Sequence, residues 1–289
     1  SVGTLREILS LRDALQERSY NIIFDIQGSL KSGLVSWLSG ASDRLGFTED
    51  AVQERVNTLF ATRHVPLRRQ DCHMTDQSLR LVSVPFARDY RSMELRMEMP
   101  VAPEDDVAAS ALLATLGDGL VFLFQYGTSR QTKLWSEKRW TELGQRVLRR
   151  YSDSTILFAW GNDQERGAVT RLAESIGSGA RVLDHYSLNG IAALLRKVDL
   201  VVGGDTGPVH IAAALGTPTV SLYRSTEGKR SGPRGPQHAV IQAPMVCSGC
   251  FRTTCSRDSE CRESITADMV MRVIEQVLGK GEANGIQSG

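Results

Sequence analysis

Apolar residues recur along this chain in two alternating rhythms, a helical spacing of three to four residues and short uninterrupted runs that suit buried strands. Residues 4–17 place Leu5, Ile8, Leu9, Leu11 and Leu15 on one broad helical face, and residues 20–25 then predict a strand. A second helix is expected over residues 30–38, a short strand at 44–47 and a further helix around 51–60. Between residues 86 and 106 the pattern breaks up, with prolines at 85, 100 and 103 and an acidic run at 104–106 that suits a helix start. This break predicts a domain boundary, giving domains of residues 1–105 and 106–289.

Beyond the boundary the alternation is regular. It predicts a helix to residue 116, a strand at 121–125, a helix at 137–150, a strand at 155–160 and a helix at 165–176. A brief strand at 182–183, a helix at 188–197, a strand at 200–202, a helix at 209–215 and a strand at 219–222 continue it. Repeated β–α units imply an α/β protein with a parallel sheet and helices on both faces. Ligands in such sheets sit beyond the carboxyl ends of the strands.

The 289 residues suffice for two domains, and 41% apolar residues can fill their cores. A formal net charge of +1 gives no electrostatic case for nucleic acid. No apolar run approaches the ~20 residues needed to span a bilayer, and no secretory signal precedes the first helical segment, so a cytoplasmic protein is expected. Four of five cysteines cluster as Cys247, Cys250, Cys255 and Cys261. Their Cys-x2-Cys-x4-Cys-x5-Cys spacing suits reduced structural thiols first, with zinc thiolates or an oxidised pair as alternatives, while Cys72 stands alone.

The densest chemistry lies in the run 201–220. Val201 and Val202 end a strand, Gly203, Gly204 and Gly207 permit a tight turn, Thr206 can cap the next helix and Pro208 helps to start it. A helix start of this kind attracts anions through unpaired N–H groups and the positive end of its dipole. Asp205 and His210 add groups able to address hydroxyls or a leaving group. Glycine before a helix also serves simple close packing, which is the plainer reading. Neither Gly-x-Gly-x-x-Gly nor a Walker-type P-loop stands where nicotinamide or P-loop binding would need it.

The whole string Gly-Gly-Asp-Thr-Gly-Pro-x-His, followed by Gly-Thr-Pro-Thr, resembles the donor-site signature of glycosyltransferase family 9, the bacterial heptosyltransferases of the lipopolysaccharide inner core. In residues 127–135, Gly-Thr-Ser-x-x-x-Lys-x-Trp resembles a second donor motif of that family, and the resemblance implies that Thr128, Ser129 and Lys133 bind phosphates. Trp-Gly-x-x-x-Glu at 160–165 resembles a third, in which Glu165 holds a donor hydroxyl, although a first-turn Glu is more commonly a solvated partner of the helix dipole. Asp205 then addresses the donor sugar, Thr206 and Gly207 offer backbone donors to the diphosphate, and His210 is a secondary phosphate contact. Ser187-Leu188 precedes the next helix and reads as its N-cap, although the resemblance places this turn near the nucleotide base. At 223–226, Tyr-Arg-Ser-Thr departs from the family's Tyr-Gly-Pro-Thr, leaving Arg224 as an added phosphate contact or a surface change.

On the N-terminal side, Asp-x-Gln-Gly-x-x-Lys-Ser at 25–32 resembles the acceptor-side motif, with Lys31 meeting an acceptor phosphate or carboxylate and His73 a weaker candidate nearby. The family opens with a strand and a Gly-Asp-x-x-His-type loop bearing the proposed general base, and nothing in residues 1–20 matches it. The expected base therefore lies upstream of residue 1, and Asp25 is a poor substitute. The resemblance implies two Rossmann-like domains of the GT-B type, the N-terminal one incomplete. It implies an inverting, metal-independent transfer of heptose from ADP-heptose, or a related nucleotide sugar, to a lipopolysaccharide core precursor. No cofactor and no nucleic acid are involved, and peripheral contact with the inner membrane face is expected. The alternatives are a nucleotide-sugar-binding protein without turnover, because the base region is missing, and a metal-stabilised interaction module built on the cysteine loop.

Overall fold

The structure is a computed structural model that describes residues 2–93 and 99–285. The chain divides into two compact units, Ser1–Leu95 and Arg96–Gly289. This division falls ahead of the 105/106 position read from the prolines, because the helix opened by the 104–106 acidic run packs within the second unit.

The first unit holds α1 (Val2–Glu17), β1 (Ile22–Phe24), α2 (Leu30–Leu38), β2 (Asp43–Phe47), β3 (Arg63–Val65) and α3 (Met74–Ser83). Its three strands form a parallel sheet in the order β1-β2-β3, and Leu45, Phe47, Val65 and Leu81 make its core. The helix expected around 51–60 is instead a turn leading into a 3-10 helix, Arg55–Phe60. Its apolar residues do not share a buried face: Leu59 is 78% exposed, while the polar Asn57 is 2% exposed. The inward turn satisfies Asp25, whose Oδ2 accepts from Asn57 Nδ2 at 2.6 Å and Ser32 Oγ at 2.9 Å. Asp25 Oδ1 also accepts the Gln27 and Gly28 amides.

The second unit begins with α4 (Pro103–Leu113), β4 (Val121–Gln125), α5 (Glu137–Arg150), β5 (Thr155–Ala159), α6 (Asp163–Ile176) and β6 (Ala180–Val182). It continues with α7 (Leu188–Leu195), β7 (Leu200–Gly204), α8 (Gly207–Ala214), β8 (Thr219–Tyr223), α9 (Gly228–Ser231) and β9 (His238–Gln242). Two further helices, α10 (Asp258–Ser264) and α11 (Ala267–Gly285), complete it. All six strands are parallel, in the order β6-β5-β4-β7-β8-β9. In chain sequence this is the 3-2-1-4-5-6 order of a dinucleotide-binding sheet.

Burial on both faces explains the continuous apolar runs of β4, β5 and β7. Alternate residues serve opposite layers. Phe122, Phe124, Ile156, Phe158, Leu200 and Val202 pack with α5, α6 and α11, whereas Val121, Leu123, Leu157 and Val201 pack with α4, α7 and α8. At the end of β7 the chain tolerates no side chain: a Cβ on Gly203 would stand 2.6 Å from Val209 Cγ2 and 2.9 Å from Gln125 Cβ. Gly203→Ala is therefore expected to overpack the junction of β4, β7 and α8 and to cost about 1–3 kcal/mol. Thermal unfolding followed by circular dichroism checks this, and an unchanged midpoint would show that α8 moves aside freely.

Candidate functional site

A cavity of about 760 Å³ opens beyond the carboxyl ends of β4, β5 and β7, within the second unit. The chain reverses strand order between β4 and β7, so the helices that follow them leave on opposite faces and uncover the strand ends. Each expected donor-side residue lines this cavity: Thr128, Ser129 and Lys133 after β4, Glu165 after β5, and Asp205, Thr206, Gly207 and His210 after β7.

Asp205 is the electrostatic centre. Its Oδ2 accepts from Lys133 Nζ at 2.7 Å, its Oδ1 lies 3.1 Å from His210 Nε2, and Lys133 Nζ also reaches the Asp205 carbonyl oxygen at 3.2 Å. Side-chain exposures of 14% for Lys133 and 13% for Asp205 keep water from screening the pair. Burial works to raise the Asp205 carboxyl, but hydrogen bonds from His210 and Lys133 and the lysine charge outweigh it. They hold the carboxyl well below the usual carboxylate range. Behind it, burial and then the Asp205 charge push the Tyr223 phenol far above its ordinary value.

The opposite wall is built around Glu165. Asn162 caps α6 by accepting the Glu165 amide at 2.9 Å, and Glu165 Oε2 accepts the Gly161 amide at 2.8 Å. The carboxylate lies directly against Gly127, where a Cβ would stand 2.3 Å from it. Glycine at 127 is thus needed for the post-β4 loop and the Glu165 carboxylate to meet. At α8 the relation is inverted: a Cβ on Gly207 would meet nothing within 4 Å, so the first turn of the helix presents bare backbone to the cavity. Together these groups set a helix N-terminus, a lysine with its counter-ion and a fixed carboxylate around one chamber.

Residues 8–260 match the model of glycosyltransferase family 9 (heptosyltransferase). The chain belongs to this family. It is 30% identical over 246 residues to lipopolysaccharide heptosyltransferase 1 of Pseudomonas aeruginosa, covering 85% of this chain and 66% of that protein. With the Escherichia coli K12 protein of the same name it shares 30% identity over 241 residues, 81% of this chain and 70% of that one. The chain thus spans about two thirds of the length of these curated relatives. Among solved structures it is similar to E. coli heptosyltransferase WaaC with ADP, at 26% identity and a TM-score of 0.71 over 96% of this chain and 79% of that one. E. coli ADP-heptose lps heptosyltransferase II, 18% identical with a TM-score of 0.74 over 96% of this chain and 82% of that one, shares the fold. Two Rossmann-like α/β units are the composition of the GT-B class to which these heptosyltransferases belong.

Other residues depart from their expected places. Thr206 occupies the N-cap position of α8, but its hydroxyl makes no capping bond and is buried without a partner among the described residues. Arg224 is neither a phosphate contact nor a surface change: it is 1% exposed and bound to backbone and to Asp258, because the chain beyond β9 folds over it. Lys31 is exposed on the first turn of α2 and lines a separate cavity of about 420 Å³ within the first unit. His73 caps α3, accepting the Thr75 amide through Nδ1, and Ser187 caps α7 as expected. All five thiols are unbridged, and among the described residues no three His, Cys, Asp or Glu side chains gather as metal ligands. Burial pushes the Cys261 thiol up, keeping it protonated beside Arg224.

The cavity also includes Gln125, Asn162, Asp184 and Tyr186, which sequence motifs do not single out, beside Trp160 of the third motif and Leu188 of the turn before α7. Their common signal is position, since each ends a strand or follows one.

Because the Asp205 carboxyl is depressed in the folded state, its contribution is present above the unfolded carboxylate value near 3.9 and is lost as pH falls below it. Asp205→Asn, which strands Lys133, is expected to destabilise the protein by about 3 kcal/mol at neutral pH, with the gap to wild type narrowing toward pH 3. Unfolding measured on both proteins across that range tests this, and a gap that is constant or widens in acid contradicts it.

Proposed function

We propose that this chain transfers heptose from ADP-heptose, or a closely related nucleotide sugar, to a lipopolysaccharide inner-core acceptor with inversion at the anomeric carbon. The observation that carries the reading is the meeting of Lys133, Asp205 and the bare first turn of α8 at one cavity in a glycosyltransferase family 9 chain. Solved relatives bound to ADP and to ADP-2-deoxy-2-fluoro heptose support the donor class.

In this reading the diphosphate seats on the Thr206 and Gly207 amides at the positive end of α8, with Thr128, Ser129 and Lys133 closing on it from the post-β4 loop. As the glycosidic bond breaks, negative charge grows on the departing ADP, and the lysine and helix end are already in place to receive it. No metal is assigned a part in that stabilisation. Glu165, fixed by the Gly161 amide, accepts from a donor hydroxyl, and Asp205 addresses the sugar. His210 is a further phosphate contact.

The acceptor hydroxyl must lose a proton as it attacks. Asp205 suits this poorly because its affinity for protons is depressed by His210 and Lys133. Asp25 suits it poorly because two side-chain and two backbone donors already occupy its oxygens. Lys31 serves the acceptor side, and the site of action is the cytoplasmic face of the inner membrane through peripheral contact. Among the described residues no helix is long and apolar enough to cross a membrane.

Incubation with ADP-heptose and a lipopolysaccharide core acceptor, followed by mass spectrometry of the acceptor, is expected to show addition of one heptose with release of ADP. ADP-heptose binding without any transfer would favour a binding protein, and absence of binding would sink the donor assignment. Lys133→Met is expected to lower kcat/KM by about 10²-fold, the scale of one lost electrostatic donor. Gly207→Ala, whose Cβ meets no atom within 4 Å beyond its chain neighbours, is expected to keep the fold by circular dichroism while weakening ADP binding by calorimetry. Unchanged ADP affinity in that variant would move the diphosphate away from α8.

A further inference from the structure

A fully buried guanidinium is uncommon and costly unless each face finds a partner. Arg224 leaves the end of β8, does not line the donor cavity and is 1% exposed. Its Nη1 donates to the Leu134 carbonyl and lies 3.5 Å from the Gln131 carbonyl oxygen. Its Nη2 donates to the Asp258 carbonyl at 2.8 Å and to Asp258 Oδ1 at 2.7 Å. The other oxygen of Asp258 takes Arg262 Nη2 at 2.6 Å, and that nitrogen stands 3.4 Å from the same Gln131 carbonyl.

The carbonyls so gripped belong to the two ends of the short 3-10 turn Gln131–Lys133 and its cap, the turn that carries Lys133. The chain on either side of Asp258 adds two further ties: Thr132 Oγ1, within the turn, donates to the Arg252 carbonyl at 2.7 Å, and Trp135 Nε1, just beyond it, to the Ile265 carbonyl at 2.9 Å. Within the post-β4 loop itself the bonds are local: Thr128 Oγ1 donates to the Arg130 carbonyl, and the Lys133 and Leu134 amides donate to the Arg130 and Gln131 carbonyls. On its cavity side the turn is held by the Lys133 contact with Asp205. One turn is therefore gripped from behind by Arg224 and the segment 252–265, and from the front by Asp205.

We propose that Arg224, anchored by Asp258, is a positioning residue for Lys133, setting the turn so that the ammonium reaches the diphosphate of the donor. The proposal rests on the donor reading above. Positioning through Lys133 differs from a merely structural staple in one measurable respect: it acts on the phosphates of a ligand and leaves its nucleoside alone.

The test uses the full chain and calorimetric titration with ADP and with adenosine. Arg224→Lys keeps the charge but loses the planar fork, and Asp258→Ala removes the anchor from the other end. Each is expected to weaken ADP about tenfold, which corresponds to about 1.4 kcal/mol, and to leave adenosine within about twofold. In a Lys133→Met background the same changes are expected to cost ADP nothing further, because the group they position is gone. Equal weakening of ADP and adenosine, full additivity with Lys133→Met, or unchanged ADP affinity would each overturn the proposal. If Arg224→Lys fails to fold, Asp258→Ala, whose side chain is 23% exposed, carries the comparison. A wild-type protein that binds no ADP overturns the donor reading and this inference together, whereas wild-type binding with unaltered variants overturns this inference alone.

Discussion

Helices that follow neighbouring strands of a parallel sheet ordinarily stack on the same side and shut off the strand ends. Between β4 and β7 they cannot, because α5 packs with Phe122, Phe124 and Val202, whereas α8 packs with Leu123 and Val201 on the other face. The divergence is fixed by the alternation of side chains along two fully buried strands, so it is as firm as the core itself. Everything in the donor cavity follows from it. The post-β4 loop must cross the gap, the first turn of α8 must face it, and Gly203 must let strand and helix approach closely enough to frame it.

Two aspartates stand at strand ends in this chain and show what such a position permits. Asp25, after β1, is closed off by the Gln27 and Gly28 amides, by Ser32 on α2 and by Asn57 on the 3-10 helix, all of them neutral. It holds a turn together. Asp205, after β7, takes its main partners from long, ionisable side chains, one of them from another loop. The first arrangement is self-contained, and the second is open to exchange with a ligand.

Much of this was legible in the sequence. Short, largely apolar runs flanked by glycine or polar turns located β4, β5, β7 and β8, because burial on both faces leaves no room for alternation. That residues 128, 129, 133, 165, 205–207 and 210 would gather at one place was legible because their motifs follow strand ends and carry glycines where a Cβ would collide, at 127 and 203. The helix expected around 51–60 failed for a tertiary reason: its spacing was helical, but Asn57 was drawn inward by Asp25 and Ser29, and Leu59 was left outside. Arg224 was illegible for the same kind of reason. A charged residue at a strand end reads as solvent-facing unless one knows that residues 248–258, distant in sequence, return to cover it. Asp184 and Tyr186 carry no motif at all and enter the cavity only through the position of β6.

The contact between Lys133 and Asp205 has a further consequence for the life of the cavity between ligands. The chamber holds its own counter-ion, so the lysine is never left as a bare buried cation. In the proposed donor site, arrival of a diphosphate is then an exchange of one anion for another at the ammonium. Departure is the reverse, with a carboxylate held ready to take the lysine back. A site organised in this way trades some grip on an incoming anion for a ready return to its unloaded state.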